Sequence, residues 1–414
     1  MSYKNYTEYK NSEIEWIGLI PHSWNLLKSK FIFNRINVQS TKGDEELLSV
    51  SEYYGVKPKK ETINEGDYLS RSETLIGYKK CFKNDLVMNI MLAWKKGLGV
   101  TEYDGIVSPA YEVFNINTEF AYPRYMNYLL RTDLYASEFK RHSYGVIDSR
   151  LRLYPDNFKE IECILPTIQE QQHIANYLDK KTSKIDTTIA KNKELINLLE
   201  EKRTALINQV VTKGLNPEVP MKDSGIEWIG EIPEHWGVTL LKRFTNSVSS
   251  GKTVNNGDDN GKYPLHGSTG VIGTTNNFDY NGIFILVARV GAYAGKTHIA
   301  KGKMGITDNT LIIDYTPQIN YKFLFYILTI YDFKTLTIGS GQPLITGNDV
   351  KNIKITMPPL NEQNNIVNYL DEKLSKIDVT TSKIKENIEL LEEYKTSLIH
   401  HVVTGKIDVR GEEI

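Results

Sequence analysis

Cysteine is nearly missing from this chain, with only Cys81 and Cys163 among 414 residues. Two thiols cannot build a disulfide framework. With no apolar leader at Met1-Ser2-Tyr3-Lys4, a reducing, cytoplasmic setting is expected. Long apolar runs are also missing. Phe323–Ile330 is apolar and aromatic but far short of the roughly 18 residues a membrane span needs, so no membrane association is expected. There is no surplus of charge of either sign, since the formal net charge is −1. That argues against a uniformly basic nucleic-acid binder. The balance is uneven, however: residues 232–357 carry 12 Lys/Arg against 8 Asp/Glu.

Complete catalytic motifs are lacking as well. Asn216-Pro217-Glu218 is the nearest approach to the Asn/Asp-Pro-Pro-aromatic motif of an amino-methyltransferase, and it lacks the second proline. Gly291-Ala292-Tyr293-Ala294-Gly295-Lys296-Thr297 is one residue short of the loop that wraps nucleotide phosphates. It follows a strand-like run, Ile283–Val290, but the residues after it make a poor helix start. The eight histidines show no metal-ligand spacing, and His400-His401 reads as a helix end. Asp258-Asp259 lies in a Gly/Asn-rich loop and reads as turn chemistry. The chain is therefore expected to have no catalytic residues, metal or cofactor of its own.

What is present is a repeat. Ile14-Glu15-Trp16-Ile17-Gly18, then Ile20-Pro21 and Trp24, recurs as Ile226-Glu227-Trp228-Ile229-Gly230, Ile232-Pro233 and Trp236. Residues 165–214 align without a gap to 357–406, with 28 of 50 positions identical. Each half reads as an opening motif, a variable globular segment (roughly 25–165 and 237–357) and a shared block. The variable segments show almost no mutual similarity. Matching frames around divergent modules imply one type of task performed on two targets.

The shared block predicts a long helix. Ile168 to Val211 contains no proline or glycine, and stops stand at Lys213-Gly214 and Gly405. Alternating steps of four and three from Leu370 reach Leu374, Ile377, Thr381, Ile384, Ile388, Leu391, Lys395, Leu398 and Val402. Eight of these ten are apolar, the a/d signature of a coiled coil. The first half gives Leu178, Thr182, Ile185, Ile189, Asn192, Ile196, Leu199, Arg203, Leu206 and Val210. Seven are apolar, and Asn192 suits a register-fixing position. The expected pairing seam is therefore Leu178, Ile185, Ile189, Ile196, Leu199 and Leu206 against Leu370, Ile377, Ile384, Leu391 and Leu398. Two near-identical seams in one chain can satisfy each other. Paired antiparallel, they predict a rigid bar of roughly 65 Å with a module at each end, able to set the distance between two DNA half-sites.

Several stretches resemble the specificity subunits of type I restriction-modification systems. They are Leu165-Pro166-Thr167-Ile168-Gln169-Glu170-Gln171 with Asn176-Tyr177-Leu178-Asp179, and Met357-Pro358-Pro359-Leu360-Asn361-Glu362-Gln363 with Asn368-Tyr369-Leu370-Asp371. The Ile-Glu-Trp-Ile-Gly motifs and Tyr263-Pro264-Leu265-His266-Gly267-Ser268-Thr269-Gly270 belong to the same resemblance. It implies an α/β fold in which two target-recognition domains are separated by two long helices in an antiparallel coiled coil, a pseudo-two-fold tandem repeat. The expected segments are 1–165, 166–214, 215–357 and 358–414. The implied partners are double-stranded DNA, two methyltransferase subunits that bind S-adenosylmethionine, and ATP-dependent restriction-translocase subunits. The competing readings are a coiled-coil scaffold without DNA reading, and the specificity subunit of a related type II methyltransferase-nuclease.

Base reading needs Arg, Lys, Asn or Gln at groove edges, and phosphate contacts need Lys, Arg, Ser and backbone amides. Aligning the halves places Arg150 opposite Gln342, just before the last strand of each module. Lys57, Arg71, Lys95 and Lys96 join Arg150 in the first module. In the second, Lys262, His266, Ser268, Arg289, Tyr293 and Lys296 lie among glycines that allow close backbone approach.

Overall fold

The computed structural model describes residues 4–62, 74–252, 260–336 and 344–413. They form two compact units. One comprises 1–192 with 386–414, the other 193–385. This grouping differs from the sequential segments, because each unit takes one half of both long helices. The helices run from Ile168 to Lys213 and from Leu360 to Val403, close to the expected bounds.

Antiparallel pairing explains the grouping. In the first unit Leu178 shares a core with Leu398, Val402 and Val403. In the second, Ile207, Val210 and Val211 share one with Leu370, Leu374 and Ile377. Every position of both expected seams is buried or half-buried. The two basic residues that interrupt the seams have partners. Lys395 donates to both carboxylate oxygens of Asp186 at 2.7 Å, and Arg203 pairs with Asp378. The repeat makes Arg203 equivalent to Lys395 and Asp186 to Asp378, so one ion pair occurs twice. Both pairs are partly exposed and contribute register more than stability.

The modules share a topology that their sequences hide. In the first, the main sheet orders its strands Phe33–Ile36, Tyr111–Ile116, Leu86–Asn89, Leu98–Val100. In the second, Thr245–Ser250, Thr310–Tyr315, Tyr280–Ala288 and Thr297–Ile306 follow the same order. The second sheet continues with Tyr263–Gly267 and Gly270–Thr275. Each module also pairs its opening strand with its closing one, Asn25–Lys28 with Glu162–Leu165 and Gly237–Leu240 with Lys354–Met357. The helix Pro123–Leu130 packs into the first core together with Asp133–Arg141, which contributes Tyr135 and Phe139, and Tyr321–Ile330 packs into the second.

The repeated Glu-Gln pair holds each long helix to its module. The Glu170 carboxylate accepts from the Trp24 indole (3.1 Å) and the Tyr6 hydroxyl (2.7 Å). Glu362 accepts from the Trp236 indole at 2.9 Å. Gln171 accepts from the Tyr122 amide and donates to the Pro166 carbonyl. Gln363 does the same with Asn320 and Pro358. About two turns later Tyr128 donates to Asp179 and Tyr326 to Asp371. The far helix ends are capped as well: Tyr125 donates to the Val403 carbonyl and Thr356 to that of Val211, carbonyls a helix leaves unpaired.

Candidate nucleic-acid interface

In the first module the strand Leu86–Asn89 runs into a turn that holds Trp94, Lys95 and Lys96 before Leu98–Val100 begins. Lys96 adopts a left-handed conformation with φ 63°, which closes the turn tightly. Arg131 fixes it from beneath. Its guanidinium donates to the carbonyls of Lys96 (2.8 Å), Leu98 (2.5 Å) and Glu52 (3.1 Å). Burial lowers its pKa to about 10, so it stays charged at neutral pH. The Lys95 ammonium lies 5.0 Å from the Trp94 ring centre and is exposed. Lys140, from the helix Asp133–Arg141, lies 5.1 Å from the same ring.

The second module builds the equivalent turn from Gly291–Tyr293. Tyr293 is exposed there, and the Lys296 ammonium sits 5.6 Å from its ring. The turn joins two antiparallel strands, Tyr280–Ala288 and Thr297–Ile306. A nucleotide-binding loop leads from a strand into a helix, so this segment does not have that form.

The closing segments fasten to these turns in the same way. The Leu153 amide donates to the Ile90 carbonyl at 2.9 Å, and the Ile345 amide to that of Arg289 at 2.8 Å. The repeat makes Leu153 and Ile345 equivalent. Arg150 is exposed in the short turn Asp148–Arg150. Gln342, Arg71 and the Asp258-Asp259 pair lie outside the described residues.

The other expected readers are scattered by degree. Lys57 is exposed on Gly55–Pro58, over Tyr54. Lys96 is half-buried and paired with Asp133 at 2.7 Å. Lys262 is exposed beside Tyr263. Ser268 donates to the Asn309 carbonyl, and the Arg289 amide donates to the same carbonyl, so both residues gather at the 307–309 turn. His266 is a correction: it is buried and stacks on His298, with ring centres 5.7 Å apart. It belongs to the module's interior. Burial, with His266 and Lys296 nearby, lowers the His298 pKa to about 4, so this pair is neutral at pH 7.

Sequence reasoning missed Trp94, Lys140 and the tip at Val146-Ile147. Trp94 was legible as an aromatic beside two lysines; Lys140 joins it only through the fold. Among the described residues no cluster of His, Cys, Asp or Glu is arranged to hold a metal ion, and no helix is long and apolar enough to cross a membrane.

Residues 233–390 match the family described as the type I restriction modification DNA specificity domain. The MjaVIII type I specificity subunit of Methanocaldococcus jannaschii is 29% identical over 285 residues, which is 61% of this chain and 64% of that protein. The putative MjaX specificity subunit of the same organism is 27% identical over 310 residues, 70% of this chain and 69% of that protein. The match therefore spans just under two thirds of the first relative's length. A chain from a solved structure of the type I R-M system superimposes with a TM-score of 0.70 at 16% identity, covering 94% of this chain and 99% of that one. The HsdS subunit of Thermoanaerobacter tengcongensis gives 0.54, also at 16% identity, with 94% and 98% covered. At that identity the structural likeness concerns the fold alone.

Proposed function

We propose that this chain, a member of the type I restriction-modification specificity-subunit family, reads the two halves of a bipartite DNA site, one with each module. The observation that carries the reading is the shared topology of the modules, each presenting an aromatic-basic turn at the same place with different side chains. A scaffold has no use for two such turns at equivalent places with different side chains. Phosphate contacts come from Lys57, Lys95, Lys262 and Lys296. Base contacts come from Arg150 and Tyr293, with Ser268 and Arg289 supporting the second turn. The chain performs no chemistry itself. Its partners are two methyltransferase subunits that bind S-adenosylmethionine and ATP-dependent restriction-translocase subunits, in the cytoplasm.

The test is selection of bound duplexes from a random pool by the chain co-purified with its methyltransferase subunit. Two short conserved blocks separated by a fixed gap are expected. Lys95→Ala should weaken binding across sequences and lower the salt slope by about one. Arg150→Ala should relax the first block alone, at about 1–3 kcal/mol. Recovery of no common sequence would sink the proposal.

The two long helices set the gap in this reading. Adding one heptad to each preserves the seam and lengthens each helix by about 10 Å. The gap should then grow by about three base pairs while both blocks stay the same. An unchanged gap in the selected duplexes would remove the helices from that role.

A further inference from the structure

One loop of the first module carries an exposed apolar tip. Residues 145–151 form a tight loop closed by two hydrogen bonds between Tyr144 and Arg152, at 3.0 and 2.9 Å. Inside it the Arg150 amide donates to the Ile147 carbonyl at 2.8 Å. Gly145 lets the two sides of the loop meet: a Cβ there would lie 2.6 Å from the Arg150 carbonyl oxygen. Leu151 and Leu153, both buried, anchor the loop below. The tip points the other way. Val146 exposes 96% of its surface and Ile147 55%. Branched apolar side chains normally avoid so much water. The loop that carries them is closed at its base by the Tyr144–Arg152 pair.

The tip stands beside the candidate interface. Lys140 joins the two, with its ammonium 2.9 Å from the Asp148 carboxylate inside the loop and 5.1 Å from the Trp94 ring. Of the basic side chains around the tip, Lys140 pairs with Asp148 and Arg141 with Glu138, while Arg150 is exposed in the loop itself. Lys95 adds another cation next to Trp94. An apolar point within a cationic rim fits a polyanion whose interior is apolar. The rim meets phosphates, and the point meets the stacked faces of the bases.

We propose that Val146 and Ile147 form a wedge that enters a base step of the first half-site and unstacks it. This rests on the DNA-reading function above. Entry at a base step hides the tip from water, and the bend it makes brings the rim cations onto phosphates. The wedge favours half-sites with an easily unstacked step, so it reads deformability as well as base edges.

The test uses the chain assembled with its methyltransferase subunit and a duplex selected by that complex. The V146S/I147S double variant should bind the intact duplex about tenfold more weakly, the scale of leaving one branched apolar side chain in water. On the same duplex with an abasic position at the contacted step, the deficit should largely vanish, because unstacking is already done. 2-Aminopurine placed across the half-site should brighten at one step with the unsubstituted complex and not with the variant. Equal binding of the intact duplex by both proteins overturns the wedge and leaves the DNA reading standing. An equal deficit on intact and abasic duplexes also overturns it, assigning the tip to a groove-wall contact. A variant that no longer assembles with the methyltransferase overturns it by assigning the tip to that protein. If the unsubstituted complex selects no sequence, the wedge falls together with the reading it rests on.

Discussion

Residues 1–214 alone should dimerise, and with the methyltransferase subunit the dimer should mark a palindrome made of the first half-site twice. The first compact unit contains residues from the far end of the chain. Val402, Val403 and Val409 complete the core around Trp24 and Tyr6. A 1–214 fragment lacks them and leaves that surface open, and exposed apolar surface associates. A second copy offers a close replacement. Val210, Val211 and Thr212 repeat Val402, Val403 and Thr404, and Leu199 and Leu206 repeat Leu391 and Leu398. Arg203 repeats Lys395, so each copy's Arg203 meets the other's Asp186 in the arrangement that Lys395 and Asp186 make here. The result is a two-fold symmetric pair.

Three differences weaken it. Asn192 stands in the seam where the second helix has Ile384. Lys213 stands in the place of Gly405, where a Cβ would lie 2.4 Å from Pro21. The tail contacts are lost too, including His173 with the Val409 carbonyl at 2.7 Å. Dimerisation is therefore expected at higher concentration than the intact chain needs. Sedimentation of the fragment, with mapping of the methylated sites, checks both halves of the expectation. A fragment that stays monomeric and inert, or that marks an asymmetric site, would show that the two repeats are not interchangeable.

Glu170→Ala should destabilise the first unit by about 3 kcal/mol, because it leaves two buried donors unpaired at roughly 1–3 kcal/mol each. Those donors are the Trp24 indole and the Tyr6 hydroxyl, on side chains 0% and 5% exposed. For a unit of this size that is a fall of roughly 6–12 °C in the melting temperature. Glu170→Gln is the informative control. Both donors go to the same oxygen, Oε1, and glutamine keeps one acceptor oxygen, so most of the stability should return. Glu362→Ala should cost less, about 1–2 kcal/mol. It strands only the Trp236 indole, since the other partner, His235, is half exposed and regains water. Differential scanning calorimetry of the three full-length variants checks the ranking. A Glu170→Ala transition within about a degree of the unsubstituted protein would show that the carboxylate does not hold the helix.

The sequence by itself determined the repeat, the two long helices and their seams. A helix is built from neighbours three and four residues apart, so its apolar face is written in consecutive sequence. All twenty seam positions turned out buried or half-buried for that reason. The Glu-Gln motifs were visible as a mark, but their task was not. Glu170 acts on Trp24 and Tyr6, 146 and 164 residues away, and no local pattern records that. The same holds for Arg203 and Lys395, which read as flaws in a seam until Asp378 and Asp186 came beside them. The common topology of the modules was hidden because a sheet asks only for alternation and burial, which many unrelated side chains supply. Tertiary structure also decided which polar residues face solvent. It took His266 into the interior through its stack on His298, and it turned Val146 out at the tip of a loop closed at its base.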